Sequence, residues 1–189
     1  MSRIFIGIDA QVDFITGALP NTEAQSNVVL LNQAQKDARD KDFDINWTFD
    51  THDENYAKTL EGQKLPIPHC IKGTPGWELH GAIEAEADDQ TYEKPTFGSL
   101  DLLNSMIMED ECEPIELIVM GGYDTDICGI SNALLLRAGL PNTRIVWLAF
   151  ASAASSPDNQ IAALNVMLAN QIEVVDTYAD YQKLLETLD

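Results

Sequence analysis

Cys128 stands where an apolar strand gives way to a helix. The run from Ile115 to Met120 is β-branched and apolar, as a parallel strand covered on both faces requires. Gly121 and Gly122 are expected to break it. From Thr125 onward Ile127, Ile130, Leu134 and Leu135 recur at helical spacing, until Gly139 and Pro141 stop the pattern. With Asp124 or Thr125 as the cap, Cys128 falls in the first helical turn. Unpaired amides and the helix dipole there favour an anion and predict a lowered thiol pKa. A free cysteine is otherwise a small buried hydrophobe, so the nucleophilic reading needs partners. A thiol nucleophile requires a base for its proton and a cation or donor to hold the thiolate. Asp9 could be that base and Lys94 the cation, with the amides at the start of the Cys128 helix as an oxyanion hole. Separately, Asp50 and His52 lie on one side of an extended segment. Glu61 and His69 could complete a mixed nitrogen and oxygen site for zinc, iron or manganese.

These residues become interesting through the elements that carry them. Ile4 to Ile8 reads as a first strand ending at Asp9, and Phe43 to Phe49 as a second ending at Asp50. Thr91 to Glu93 reads as a third, ending at Lys94, and the fourth precedes Cys128. Arg144 to Phe150 and Ile172 to Val175 supply a fifth and a sixth. Between them the spacing predicts helices near 23–39, 77–86, 100–108, 125–139, 157–170 and 178–188. Strands alternating with helices imply right-handed crossovers and a parallel sheet with helices on both faces. In such a sheet the carboxyl ends of the strands share one edge, and ligands bind there. Four strands thus deliver Asp9, Asp50, Lys94 and Cys128 to one place. The stretch from Thr51 to Gly76, broken by three prolines and three glycines, is long enough to be read as functional.

Composition narrows the classes. The 189 residues suit a single domain, 1–189, with 45% hydrophobic content. No apolar run is long enough to span a bilayer, so no membrane partner is expected. Three cysteines and an N-terminus that runs directly into a strand point to reduced thiols and the cytoplasm. Against 31 acidic residues stand only 11 basic ones, a formal charge of −20. No basic stripe can track a phosphate backbone, which argues against nucleic-acid binding. The same field disfavours anionic substrates unless a local cation compensates.

Taken together, GIDAQVDF (7–14), FDTHDEN (49–55), PHCIKGTPG (68–76), EKPTFGS (93–99) and GYDTDICGISNA (122–133) resemble the isochorismatase-like cysteine hydrolases, and within them the nicotinamidase branch. The resemblance runs over nearly the whole chain. It implies an α/β three-layer sandwich with a six-stranded parallel sheet between helices, and a triad of Asp9, Lys94 and Cys128. It further implies a cis Tyr123–Asp124 peptide, with the amides of Asp124 and Cys128 facing an oxyanion. One divalent metal, zinc or else iron or manganese, is implied on Asp50, His52, Glu61 and His69. Phe14 matches the ring-stacking phenylalanine, and Phe14 and Tyr123 are the expected substrate contacts. The implied reaction is hydrolysis of a small amide, nicotinamide first, in a homo-oligomer serving NAD salvage. Three departures stand out: Val12 in place of the usual asparagine, one extra residue between Glu61 and His69, and Pro66 where nicotinamidases carry an aromatic. They keep open a second reading, a family member acting on another amide or ureido compound. A third reading is a non-catalytic metal-binding or thiol-redox protein on the same scaffold. Neither Cys70 nor Cys112 forms a C-x-x-C pair with Cys128, which counts against the redox version.

Overall fold

The computed structural model describes residues 1–188. In chain order the elements are β1 (Ser2–Ile8), α1 (Val12–Ile15), α2 (Thr22–Arg39), β2 (Asp44–Asp50), α3 (Leu60–Lys64), β3 (Gln90–Lys94) and α4 (Leu100–Cys112). They continue with β4 (Ile115–Tyr123), α5 (Ile130–Gly139), β5 (Arg144–Ala153), α6 (Pro157–Ala169), β6 (Glu173–Val175) and α7 (Tyr178–Glu186). A 3-10 turn at Tyr56–Lys58 precedes α3, and a π turn at Thr125–Gly129 precedes α5. The strands form one six-stranded sheet in the order β3-β2-β1-β4-β5-β6, parallel throughout.

The apolar runs explain why this sheet is buried. Phe5 and Val119 point to one face, where Val28, Leu31, Ala34, Tyr181 and Leu185 of α2 and α7 cover them. Ile4, Ile6, Ile118 and Met120 point to the other, against Leu102, Met106, Leu136 and Met167 of α4, α5 and α6. Period-two alternation with apolar residues on both faces is what a doubly covered strand needs. Helix ends are fixed locally. Asn21 accepts from the amides of Glu23 and Ala24, and Ser156 accepts from Asn159 with Pro157 in the first turn.

Two expectations fail. The helix near 77–86 does not form: Leu79 instead makes an antiparallel bridge with Gln11, and Val12 and His80 exchange backbone bonds with Glu78 and Ala10. Pairing with the loop after β1 satisfies those amides better than a short helix preceded by Gly76 and interrupted by Gly81 would. Nor do Gly121 and Gly122 break β4, which runs on to Tyr123 through a register shift against β5. Gly122 takes φ +128, and a side chain added there would collide with the Ile8 carbonyl. The glycines let β4 continue close beside β1 up to the edge that carries Asp9.

Candidate active site

Asp9 ends β1 with a positive φ of 44, a conformation aspartate tolerates better than most residues. Its Oδ1 accepts a 2.6 Å hydrogen bond from Thr48 of β2, and its Oδ2 lies 2.7 Å from Lys94 Nζ. Lys94, the last residue of β3, also reaches Cys128 Sγ at 3.4 Å and Asp50 Oδ1 at 3.5 Å. Three sequence-distant groups, Asp9, Lys94 and Cys128, are therefore brought together, all buried at the carboxyl ends of the strands. Burial alone would discharge the ammonium, but the Asp9 and Asp50 carboxylates outweigh it and hold the Lys94 pKa above its ordinary value. Burial raises the Asp9 pKa; Lys94 opposes this and Asp50 adds to it.

The lowered Cys128 pKa expected from the helix start is not found. Burial pushes the thiol well up, Lys94 pulls it down, and the Asp9 and Asp50 carboxylates push it up again. Desolvation of a sulfur enclosed by the sheet outweighs one helix terminus, so the resting group is a thiol. Asn132, one turn on, ties this turn in place: its Nδ2 donates to the Cys128 carbonyl at 2.8 Å and to the Phe97 carbonyl at 3.0 Å. The Tyr123–Asp124 peptide is cis.

Beside this group, Asp50, His52, Glu61 and His69 offer ligand atoms that all lie within 4.8 Å of one another. The loop after β2 closes through backbone bonds from His52 to Cys70 and from Lys72 back to His52, which returns His69 to Asp50. His52 Nε2 is 3.0 Å and His69 Nε2 3.3 Å from Asp50 Oδ2, and Glu61 Oε1 is 3.7 and 3.6 Å from the same nitrogens. His69 donates Nδ1–H to the Ile67 carbonyl at 2.8 Å, so when Nε2 gives up its proton its lone pair faces the centre. That arrangement is the one a metal-ligating imidazole needs. Two imidazoles and two carboxylates suit a divalent ion such as zinc. Burial raises the Asp50 pKa, but hydrogen bonds with His52 and His69 hold it well below the carboxylate range.

Of the expected substrate contacts, Phe14 packs edge-on to His69, ring centroids 5.6 Å apart. Tyr123 is placed differently: it is fully buried, and its hydroxyl donates to Asn27 on α2. The sequence reading overlooked several buried polar residues that fix the site. Gln11 spans from β1 to the end of β2, donating to the Asp50 carbonyl and accepting from its amide. Asp13 accepts from Cys70 and Ala18, which anchors the loop bearing His69. Gln11 and Asp13 lie inside GIDAQVDF, and their full or near-full burial is the signal that distinguishes them.

Asp124 also carries a carboxyl, held by Asn21 Nδ2 at 3.2 Å. Burial, with repulsion from Asp126 and Asp9, raises its pKa from 3.8 to about 7. A carboxyl whose folded pKa exceeds its unfolded value binds its proton more tightly when folded, so stability falls as pH rises through the window from 3.8 to about 7. Asp124→Asn keeps the oxygen that Asn21 contacts and removes the charge. It is expected to raise Tm at pH 8 by roughly 2–6 °C, from about 1–2 kcal/mol after allowing for partial solvent screening. The gain should vanish near pH 4 in thermal melts, and a gain independent of pH would contradict this account.

The isochorismatase domain family model matches residues 3–179. Solved structures share the architecture. The pyrazinamidase/nicotinamidase of Streptococcus mutans UA159 is 27% identical, with a TM-score of 0.79, covering 92% of this chain and 100% of that one. The pyrazinamidase of Pyrococcus horikoshii in complex with zinc is 22% identical with a TM-score of 0.79, covering 94% and 100%. An isochorismatase-like hydrolase from Alkaliphilus metalliredigens is 18% identical with a TM-score of 0.81 over 100% of both chains. Likeness at 18% or 22% identity speaks for the fold alone. No curated protein matches the chain.

Proposed function

The chain belongs to the isochorismatase family, and from that premise we propose that it is a metal-dependent amidohydrolase acting through Cys128, Asp9 and Lys94 on a small planar amide, nicotinamide first. The observation that carries the reading is the contact set of Lys94 Nζ, 2.7 Å from Asp9 and 3.4 Å from Cys128 Sγ. A thiol, a carboxylate and a buried ammonium in mutual contact form a unit for covalent catalysis.

In this reading Asp9 accepts the thiol proton as Sγ attacks the amide carbon. Both groups have raised pKa values, so the proton passes between neighbours while the Lys94 charge steadies the forming thiolate. The oxygen of the tetrahedral adduct faces the amides of Asp124 and Cys128. Asp9 returns its proton to the departing nitrogen, ammonia leaves, and a thioester remains on Sγ. Water then attacks the thioester with Asp9 taking its proton, the carboxylate product departs, and the proton goes back to Sγ. Asp50, His52, Glu61 and His69 would hold one divalent ion, zinc first, which when bound supplies a Lewis-acid contact for a ring nitrogen of the substrate. Phe14 and the His69 ring that it supports would border that ring.

The test is selectivity. Nicotinamide and pyrazinamide, each with a ring nitrogen, are expected to release ammonia, and benzamide at roughly one tenth to one hundredth of their kcat/KM. Because Pro66 is exposed and cannot stack, KM for nicotinamide should exceed that of an enzyme with two aromatic walls by up to about tenfold. Equal rates on benzamide and nicotinamide would overturn the ring-nitrogen selection. Pro66 also favours a second reading, a family member acting on another amide or ureido compound. Ammonia release from an acyclic ureido compound but not from nicotinamide would establish it.

A further inference from the structure

Next to the metal-type cluster lies a pocket of about 510 Å³ whose wall is mostly apolar. Leu60 and Leu65 line it on one side and Phe97 and Ile127 on the other, with Pro95 and Glu61 between. Glu61 also belongs to the cluster of possible metal ligands, Pro95 follows Lys94, and Ile127 precedes Cys128. The pocket therefore meets the candidate site at Glu61, and Pro95 and Ile127 are chain neighbours of two triad residues.

Its two walls are pinned to the two halves of that site. The Phe97 carbonyl and the Cys128 carbonyl accept from the same side-chain amide, Asn132 Nδ2. On the opposite side the Leu65 carbonyl accepts from Tyr56 OH at 2.9 Å, and the Tyr56 ring packs on His52 and His69 with centroids 4.7 and 5.0 Å away. Phe97 nevertheless stays 43% exposed and Leu60 71%. Large apolar side chains left uncovered on backbone fixed beside a site gain free energy when a ligand removes them from water. A pocket of this volume is within the range that takes ligands well beyond a single small ring.

We propose that this pocket binds an apolar extension on the acyl part of the substrate, with Phe97, Leu60, Leu65 and Ile127 as its specificity-determining residues. The best substrates are then carboxamides that keep the ring nitrogen and carry an apolar extension, larger than nicotinamide. The proposal rests on the amidohydrolase reading and adds a substrate class to it. It also answers the loss of an aromatic at Pro66: apolar contact comes from Phe97, on the other side of the pocket.

The experiment measures kcat/KM for nicotinamides whose ring carries an alkyl chain lengthening from propyl to octyl, in the wild-type protein, Phe97→Ala and Leu60→Asp. Each methylene that enters the pocket should raise kcat/KM by about fourfold at most, until the pocket is full. Either variant should cut the ratio between the longest and shortest amide at least fivefold. Leu60→Asp changes a solvent-exposed position, so it reports on the pocket even if Phe97→Ala folds poorly. Calorimetric binding of the same series to Cys128→Ala separates this proposal from the one beneath it. A chain-length slope in Kd that Leu60→Asp removes supports the pocket even if no amide is turned over, in which case only the hydrolase reading falls. A flat series in the wild type, or a slope that both variants retain, overturns the pocket.

Discussion

Replacing Cys128 with alanine is expected to lower ammonia release by at least about 10⁴-fold while the fold persists. The thiol is buried at the end of β4 beside Lys94, and without it no covalent adduct can form. The Lys94 charge remains paired with Asp9, so Tm should move by no more than a few degrees. Acid quenching of the wild-type enzyme during turnover should leave an acyl group on Cys128, visible by peptide mass, and Cys128→Ala should show none. Simple thiol reagents are a poor probe of this residue. Cys112 is exposed, whereas Cys128 is buried with its pKa raised by burial, so Cys112 should be labelled first. Retained turnover in Cys128→Ala would remove the cysteine-hydrolase reading.

The second large effect concerns the cluster. Protein prepared without chelator should contain close to one divalent ion per chain by elemental analysis, and His52→Ala should contain almost none. His52 approaches both Asp50 and Glu61, so its loss opens the centre of the donor set. Activity is expected to fall by about 100-fold or more, in line with removal of a Lewis acid worth several kcal/mol. Far-UV circular dichroism should be unchanged, since His52 lies beyond the end of β2 and outside the sheet. A metal-free wild-type protein that neither Zn, Mn nor Fe activates would refute the assignment. So would full activity in His52→Ala.

Much of this was legible in the residues. The largely apolar runs from Ile4 and Ile115 announced doubly covered strands, and parallel topology placed Asp9, Asp50, Lys94 and Cys128 at one edge. Glu61 sits in the cluster despite the extra residue before His69. What stayed hidden depends on tertiary context. The 77–86 segment forms its hydrogen bonds with the loop after β1, a partner far away in sequence. The thiol pKa follows enclosure and two carboxylates, neither of which local helix geometry encodes. Gln11, Asp13, Thr48 and Asn132 look like ordinary polar residues until their burial and partners are known.

The two halves of the site are assembled over different lengths of chain. Asp50 ends β2, and His52, Glu61 and His69 fall on the loop that follows it, closed by its own backbone bonds, whereas Asp9 and Cys128 meet only because β4 docks beside β1. The donor set is thus a local structure, and the triad is a product of topology. Local contacts form early and survive partial disruption, while pairings between distant strands carry the loop-closure cost of the whole crossover. A chain emerging from synthesis already carries every donor of the cluster by residue 69, long before its nucleophile exists. In denaturation the order reverses: separation of β1 from β4 ends catalysis while the closed loop can still retain an ion. An ion that also binds the disrupted chain stabilises the native state by less than its native affinity alone would give. Inactivation and ion release should therefore be distinct events along the unfolding path, with inactivation first.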